Sequence, residues 1–230
     1  MPTTNDSSEI QYLWATPILV RSNDEHTLIQ ADLLELFYQH RHQHEKKQQP
    51  IFASRDNLHI LYKDHPAFAK LIKFILDSVF ELAADVNGPH WQRAQNIDVH
   101  LTGVWFQMSN GYGFHETHVH GNCSWSGVYY VQAGESGRSA TDKKDGLING
   151  VTRFYGPYME YSAGGHAEFG NLYLQYHTWD SFPEDGKIAV FPSYLKHMVF
   201  PYQGKRDRVV VSFHAQVHGE KDLRYGYEFN

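Results

Sequence analysis

The sequence predicts a mainly β domain of α+β type, a jelly roll with two supporting N-terminal helices. Three observations carry this expectation. From residue 94 onward the segments are short, rich in Val, Tyr, Phe and Trp, and separated by Gly, Pro, Asn and Asp. Ahead of them, two stretches space their apolar residues at helical intervals. At 230 residues, 41% of them hydrophobic and 15% aromatic, the chain is long and apolar enough to bury one sizeable core.

Residues 1–8 are small and polar and read as a frayed terminus. IQYLWATPILVRS then alternates around Pro17 as an edge strand with a break. Asn23 or Asp24 caps a first helix reaching about Tyr38, with Leu28, Leu33, Leu34, Leu36 and Phe37 on its apolar side and Glu25 suiting the N-terminal dipole. The polar segment 39–50 reads as a solvated loop. A second helix follows Asp64, with Pro66 in its first turn, a stripe of Phe68, Leu71, Ile72, Ile75, Val79, Phe80 and Leu82, and Gly88 past its end. Strands are expected near 96–108, 125–132, 151–159, 171–178, 187–191, 197–200 and 207–217. The loop-like stretch 133–150 is either a lid over a site or a disordered surface insertion. We read 1–230 as a single domain: 1–93 as N-terminal strand and helical support, 94–217 as the β core and 218–230 as a tail.

Composition excludes several classes. The net charge is −6 and no basic run exceeds HRHQHEKK, so the electrostatic footprint of a nucleic-acid binder is missing. A lone Cys123 rules out an intramolecular disulfide, and MPTTNDSSEIQ has neither a basic nor an apolar leader region, so a cytoplasmic location is expected. No apolar stretch approaches the roughly 20 residues of a spanning helix.

The chemistry concentrates in HETHVHGNCSWSGVYYV, where His115, His118 and His120 fall within six residues. In an extended strand i and i+2 share a face about 6.6 Å apart, so His118 and His120 form half of a metal site. His197, in FPSYLKHMV, is the distal third ligand. The competing reading is that the pair is only polar strand surface. Eleven residues after His197 comes Arg208, and the run RVVVSFHAQV puts Arg208, Val210, Ser212 and His214 on one face. A buried arginine there binds either an acidic co-substrate or an ordinary Asp or Glu partner. Trp105, Gln107, Asn110 and Tyr112 lead into the histidines and line the pocket or merely pack, the amides of Gln107 and Asn110 contacting co-substrate or substrate. His115 supports the ligands from behind, binds substrate, or is a spare ligand if the HxH pair stands in another register. Cys123 reads as a small buried residue and Gly186 as a turn.

Four ordered blocks, HxH, SGVYY, FPSxLxH and a downstream Arg, occur here as HVHGNCSWSGVYYV, DGKIAVFPSYLKHMVFPY and RDRVVVSF. Together they resemble the Fe(II)/2-oxoglutarate-dependent oxygenases over roughly residues 100–215, and YLWATPILV resembles that group's N-terminal strand. The resemblance implies a double-stranded β-helix, cupin-like in architecture. It further implies a catalytic Fe(II) held by His118, His120 and His197, the distal carboxylate of 2-oxoglutarate held by Arg208, and O2 as oxidant. An unknown substrate would be hydroxylated as 2-oxoglutarate is decarboxylated to succinate. Partners are then small molecules, with neither nucleic acid nor membrane, and a homodimer is left open.

Two positions depart from the broad superfamily. His120 stands where its 2-His-1-carboxylate triad has Asp or Glu. Glu116 is the nearest carboxylate and is expected to face away. Val210 stands where that superfamily has Ser, so either Ser212, one strand repeat further on, or Tyr130 supplies the second hydrogen bond. Two rival functions remain: a cupin-type metal enzyme that does not use 2-oxoglutarate, whose first-motif Glu is missing from GNCSWSG, and a barrel that binds metal or a small acid without turnover.

Overall fold

A computed structural model describes residues 15–91, 97–138, 148–156 and 177–219. The chain runs through β1 (Leu19–Ser22), α1 (His26–His44), β2 (Ile51–Ala53), α2 (Leu58–Leu61), α3 (Pro66–Trp91), β3 (Asp98–Ser109), β4 (Gly113–His118) and β5 (Trp125–Gln132). It continues through β6 (Gly137–Arg138), β7 (Ile148–Asn149), β8 (Thr152–Tyr155), β9 (Thr178–Ser181), β10 (Lys187–Pro192), β11 (His197–Tyr202) and β12 (Arg208–His218). A six-stranded sheet, β1-β10-β5-β12-β3-β2, faces a four-stranded sheet, β4-β11-β8-β9, and the strand pairs are antiparallel.

Strand alternation sorts the large sheet into two faces. Val104, Phe106, Tyr129, Val131, Val209, Val211 and Phe213 meet Ile29, Leu33, Phe37, Phe68, Leu71, Ile75 and Val79 of α1 and α3. The alternate residues Val128, Tyr130, Ala189 and Val210 point inward. There Phe154 of the small sheet closes on Phe191 and Leu195. With helices on one side and the second sheet on the other, β5 is buried at every position, which is why WSGVYYVQ shows little polar alternation. Gly127 sits within it where a Cβ would come 2.7 Å from Phe213 Cε1 and 2.8 Å from the Ala189 carbonyl oxygen. Gly127→Ala is expected to lower unfolding stability by about 1–3 kcal/mol, the usual cost of overpacking, measurable by urea denaturation. Wild-type stability in that variant would show that Phe213 has room to move.

The helices differ from expectation. α1 extends six residues past Tyr38, to His44. Its buried stripe is His26, Ile29, Leu33, Phe37 and His40, whereas Leu28 is exposed, so two histidines complete a pattern that leucines alone misphase. His40 packs edge-on to Phe106, and Arg41 bonds Glu45 and Asp207, holding the polar last turns in place. Asn23 accepts from the Glu25 amide just before the helix, while the N-cap, Glu25, makes no side-chain cap bond. α3 passes through Gly88 to Trp91, and Phe80, expected in the stripe, is exposed. A helical glycine costs about 1 kcal/mol against alanine, which the buried stripe outweighs.

β5, β10, β11 and β12 lie where strands were expected, while β2, α2 and β4 were not foreseen. The expected strand 151–159 narrows to β8, with 157–159 outside the described residues, and of 171–178 only 177–178 are described. Within 133–150, β6 and β7 pair as a short ladder, and 139–147 lie outside the described residues, as do 1–14 and 220–230. Among the described residues no helix is long and apolar enough to cross a membrane.

Candidate metal centre

β4 and β11 pair so that His118 stands directly opposite His197. The His118 Nδ1 lies 2.6 Å from the Glu116 carbonyl oxygen and the His197 Nδ1 lies 2.8 Å from that of Leu195. A carbonyl only accepts, so in both rings Nδ1 carries the proton and Nε2 presents its lone pair to the cavity. His120 lies beyond the end of β4, anchored by its backbone N–H to the Ser193 carbonyl at 2.9 Å. The pair is therefore not delivered by one regular strand, and the His118 and His120 rings meet at 87° rather than in parallel. Each of the three histidines nonetheless offers a ligand atom within 4.8 Å of the others, forming the one group of three or more potential metal ligands among the described residues.

Burial is the first reason that His120 is brought down to about 3 and His197 to about 4, and neighbouring imidazoles add to it. Both are neutral at pH 7, the form a metal requires. Phe191, Trp105 and His214 surround the His120 ring, at centroid distances of 6.5, 6.5 and 4.6 Å from it.

Val199 pairs with His115 while His197 pairs with His118, so two steps along β11 match three along β4. This is a β-bulge. It lets His115 and His118, an odd number of residues apart, both line the cavity, and it turns Glu116 out to solvent. Glu116 does face away as expected, but because of the bulge: two residues from His118, it would share that face in a regular strand. It is not part of the ligating group.

Arg208 opens β12, points inward and is 1% exposed. Its Nε and Nη2 are buried without a hydrogen-bond partner, and among the described residues it makes no ion pair. The salt-bridge reading is thus not what the structure shows. The guanidinium carbon lies 5.2 Å from the Tyr130 ring centroid, and burial pushes the group below its ordinary pKa. An unpaired buried cation is costly unless something anionic joins it.

One cavity joins Arg208 to the three histidines, walled by Trp105, Gln107, His115, Val128, Thr152, Phe191, Val199, Val210 and Ser212. Gln107 and Ser212 therefore lie where the sequence placed them. Tyr130 lies beside Arg208, with its hydroxyl 3.1 Å from Thr152 Oγ1. Asn110 is not on the cavity. β3 ends at Ser109, and a turn with positive φ at Gly111 and Tyr112 carries the chain away. Asn110 instead donates to Asp207 Oδ1 at 3.0 Å and accepts from the Gly204 amide at 3.2 Å, while Tyr112 is 70% exposed. Cys123 is half-buried beside Ser126, and Gly186 forms the turn into β10 at φ +81°. Thr152 and Val199 were missed because their short β-branched segments carry no chemical mark.

Two facing antiparallel sheets with three histidines and a buried arginine in one cavity are the architecture of a double-stranded β-helix with a candidate metal centre. Residues 103–214, the stretch that holds all three histidines and Arg208, match the family described as "Putative 2OG-Fe(II) oxygenase", so this β core is a 2OG-Fe(II) oxygenase domain. HygX from Streptomyces hygroscopicus, solved with nickel and 2-oxoglutarate bound, is similar in fold at 12% identity and TM-score 0.52, over 87% of this chain and 82% of that one. The epimerase SnoN, solved with Fe3+, alpha ketoglutarate and nogalamycin RO, is similar at 9% identity and TM-score 0.54, over 88% of this chain and 81% of that one. No curated protein matches the sequence.

Proposed function

We propose that His118, His120 and His197 hold Fe(II), that Arg208 holds the distal carboxylate of 2-oxoglutarate, and that the enzyme hydroxylates a small-molecule substrate. The carrying observation is the pair of unpartnered donors on buried Arg208, in the same cavity as the histidines. A planar guanidinium with two free N–H groups fits a carboxylate bidentately. A cupin-type enzyme without 2-oxoglutarate leaves those donors without a purpose. The HygX and SnoN structures, which pair a metal with the same keto acid, support this reading. The single cysteine supports a reducing, cytoplasmic setting.

When bound, iron supplies the redox chemistry, with O2 as oxidant and 2-oxoglutarate as the co-substrate decarboxylated to succinate. The residues do the rest. His118 and His197 are fixed in their ligating tautomer by backbone carbonyls, Phe191 and Val199 keep the centre dry, and Arg208 orients the acid. Anaerobic titration with Fe(II) and then 2-oxoglutarate should give a metal-to-ligand charge-transfer band, and admitting O2 should yield succinate. A band without succinate indicates a binding barrel, and iron binding with no response to 2-oxoglutarate favours the cupin-type alternative.

Three neutral ligands leave the centre one charge more positive than a triad with a carboxylate. His120→Asp is expected to retain iron while weakening 2-oxoglutarate binding by roughly three- to tenfold, about 1 kcal/mol of lost attraction. Glu116→Gln should change neither. Iron stoichiometry and succinate yield in the two variants check this, and iron loss in Glu116→Gln alone would show that Glu116 is the true third ligand.

A further inference from the structure

The small sheet places its inward residues in successive rungs. His118, His197 and Phe154 form one, and His115, Val199 and Thr152 form the next. Further along β11, Tyr202 packs against Gly150, where a Cβ would sit 3.1 Å from Arg208 Cδ. The His115 rung therefore lies between the ligand histidines and Arg208, in the part of the cavity that a diacid bridging the two must cross.

His115 has its Nε2 buried there with no hydrogen-bond partner. It is outside the ligating group, and its ring centroid is 6.2 Å from that of His118. A buried nitrogen left unsatisfied costs about 1–3 kcal/mol, so a donor or acceptor kept in such a place points to a ligand. The other candidates for a second contact are less well placed. Val210 has no polar group, the Tyr130 hydroxyl lies 3.1 Å from Thr152 Oγ1, and Ser212 stands four residues further along the ladder, opposite Trp105, whereas Arg208 is opposite Ser109. A carboxylate has about four acceptor positions, and the two free nitrogens of Arg208 fill only two.

We propose that His115 is a co-substrate-binding residue, its Nε2–H donating to the distal carboxylate of 2-oxoglutarate beside Arg208. The inference rests on the oxygenase reading above. In this chain an imidazole reaching across from the small sheet does what a serine two residues after the arginine does in the broad superfamily. The carboxylate is thereby held from both sheets.

The test is calorimetric binding of 2-oxoglutarate, and of pyruvate as a 2-oxo acid without the distal carboxylate, to the anaerobic Fe(II) protein. His115→Leu should weaken 2-oxoglutarate by roughly ten- to a hundredfold, the worth of one hydrogen bond to a charged group, with pyruvate and Fe(II) binding unchanged. His115→Gln, whose amide nitrogen reaches the position of Nε2, should recover most of the affinity. His115→Asn, whose amide reaches only the position of Nδ1, should not, and this matched polar pair decides the matter if the leucine variant fails to fold. Equal weakening of pyruvate, loss of Fe(II), or wild-type 2-oxoglutarate affinity in both His115→Leu and His115→Asn overturns the assignment. Wild-type protein that ignores 2-oxoglutarate altogether overturns the oxygenase reading itself, and the assignment with it.

Discussion

Arg208→Ala is expected to raise the 2-oxoglutarate concentration for half-saturation by roughly 30-fold to several thousand-fold while leaving Fe(II) affinity near that of the wild type. A charge-assisted bidentate pair in a desolvated pocket is typically worth 2–5 kcal/mol on truncation. Arg208 is 1% exposed and among the described residues has no carboxylate to fall back on, so water does little to replace it. It is also separated from the ligand histidines by the His115–Val199–Thr152 rung, which is why metal affinity should stand apart. Arg208→Lys should fall between the two, since an ammonium keeps the charge but not the planar fork. Succinate formation against 2-oxoglutarate concentration, with iron bound before assay, gives the comparison. Unchanged co-substrate dependence would move the cupin-type alternative ahead.

His118→Ala is expected to abolish tight Fe(II) binding, so that iron no longer survives desalting and no charge-transfer band forms. Two remaining imidazoles do not make a facial site, and Glu116 is turned outward and unable to substitute. The fold should persist, because β4 is an edge strand and His118 is only half-buried, so the same variant should unfold cooperatively near the wild-type midpoint. Wild-type iron content in His118→Ala would sink the three-histidine centre.

What the sequence disclosed depended on how each residue is paid for in free energy. Buried strands such as VVVSF and KIAVF announce themselves because both faces are apolar, and His118, His120, His197 and Arg208 stand out because such groups are costly to bury. β4 was illegible: GFHETH has one large apolar residue, and its function overrides strand alternation. The bulge opposite Val199 has no sequence marker, so the face of Glu116 followed for a reason other than strand parity, and the place of His115 did not follow at all. Asn110 was misplaced because two positive-φ residues redirect the chain just after it. The last turns of α1 were hidden because their inward group is a histidine, His40, packed edge-on against aromatic rings.

The Arg208 guanidinium, buried without an ion pair among the described residues, is a liability of the fold as well as the proposed docking point. A buried cation without a counter-ion costs several kcal/mol, against a total folding margin of roughly 5–15 kcal/mol. Arg208 lacks that counter-ion among the described residues, so without a bound acid the chain would fold with part of its margin surrendered. A dicarboxylate entering the cavity offsets that cost, and the resulting stabilisation grows with the logarithm of its concentration over its dissociation constant. The acid that the site consumes is then also a folding ligand, and protein deprived of it stands closer to unfolding and proteolysis.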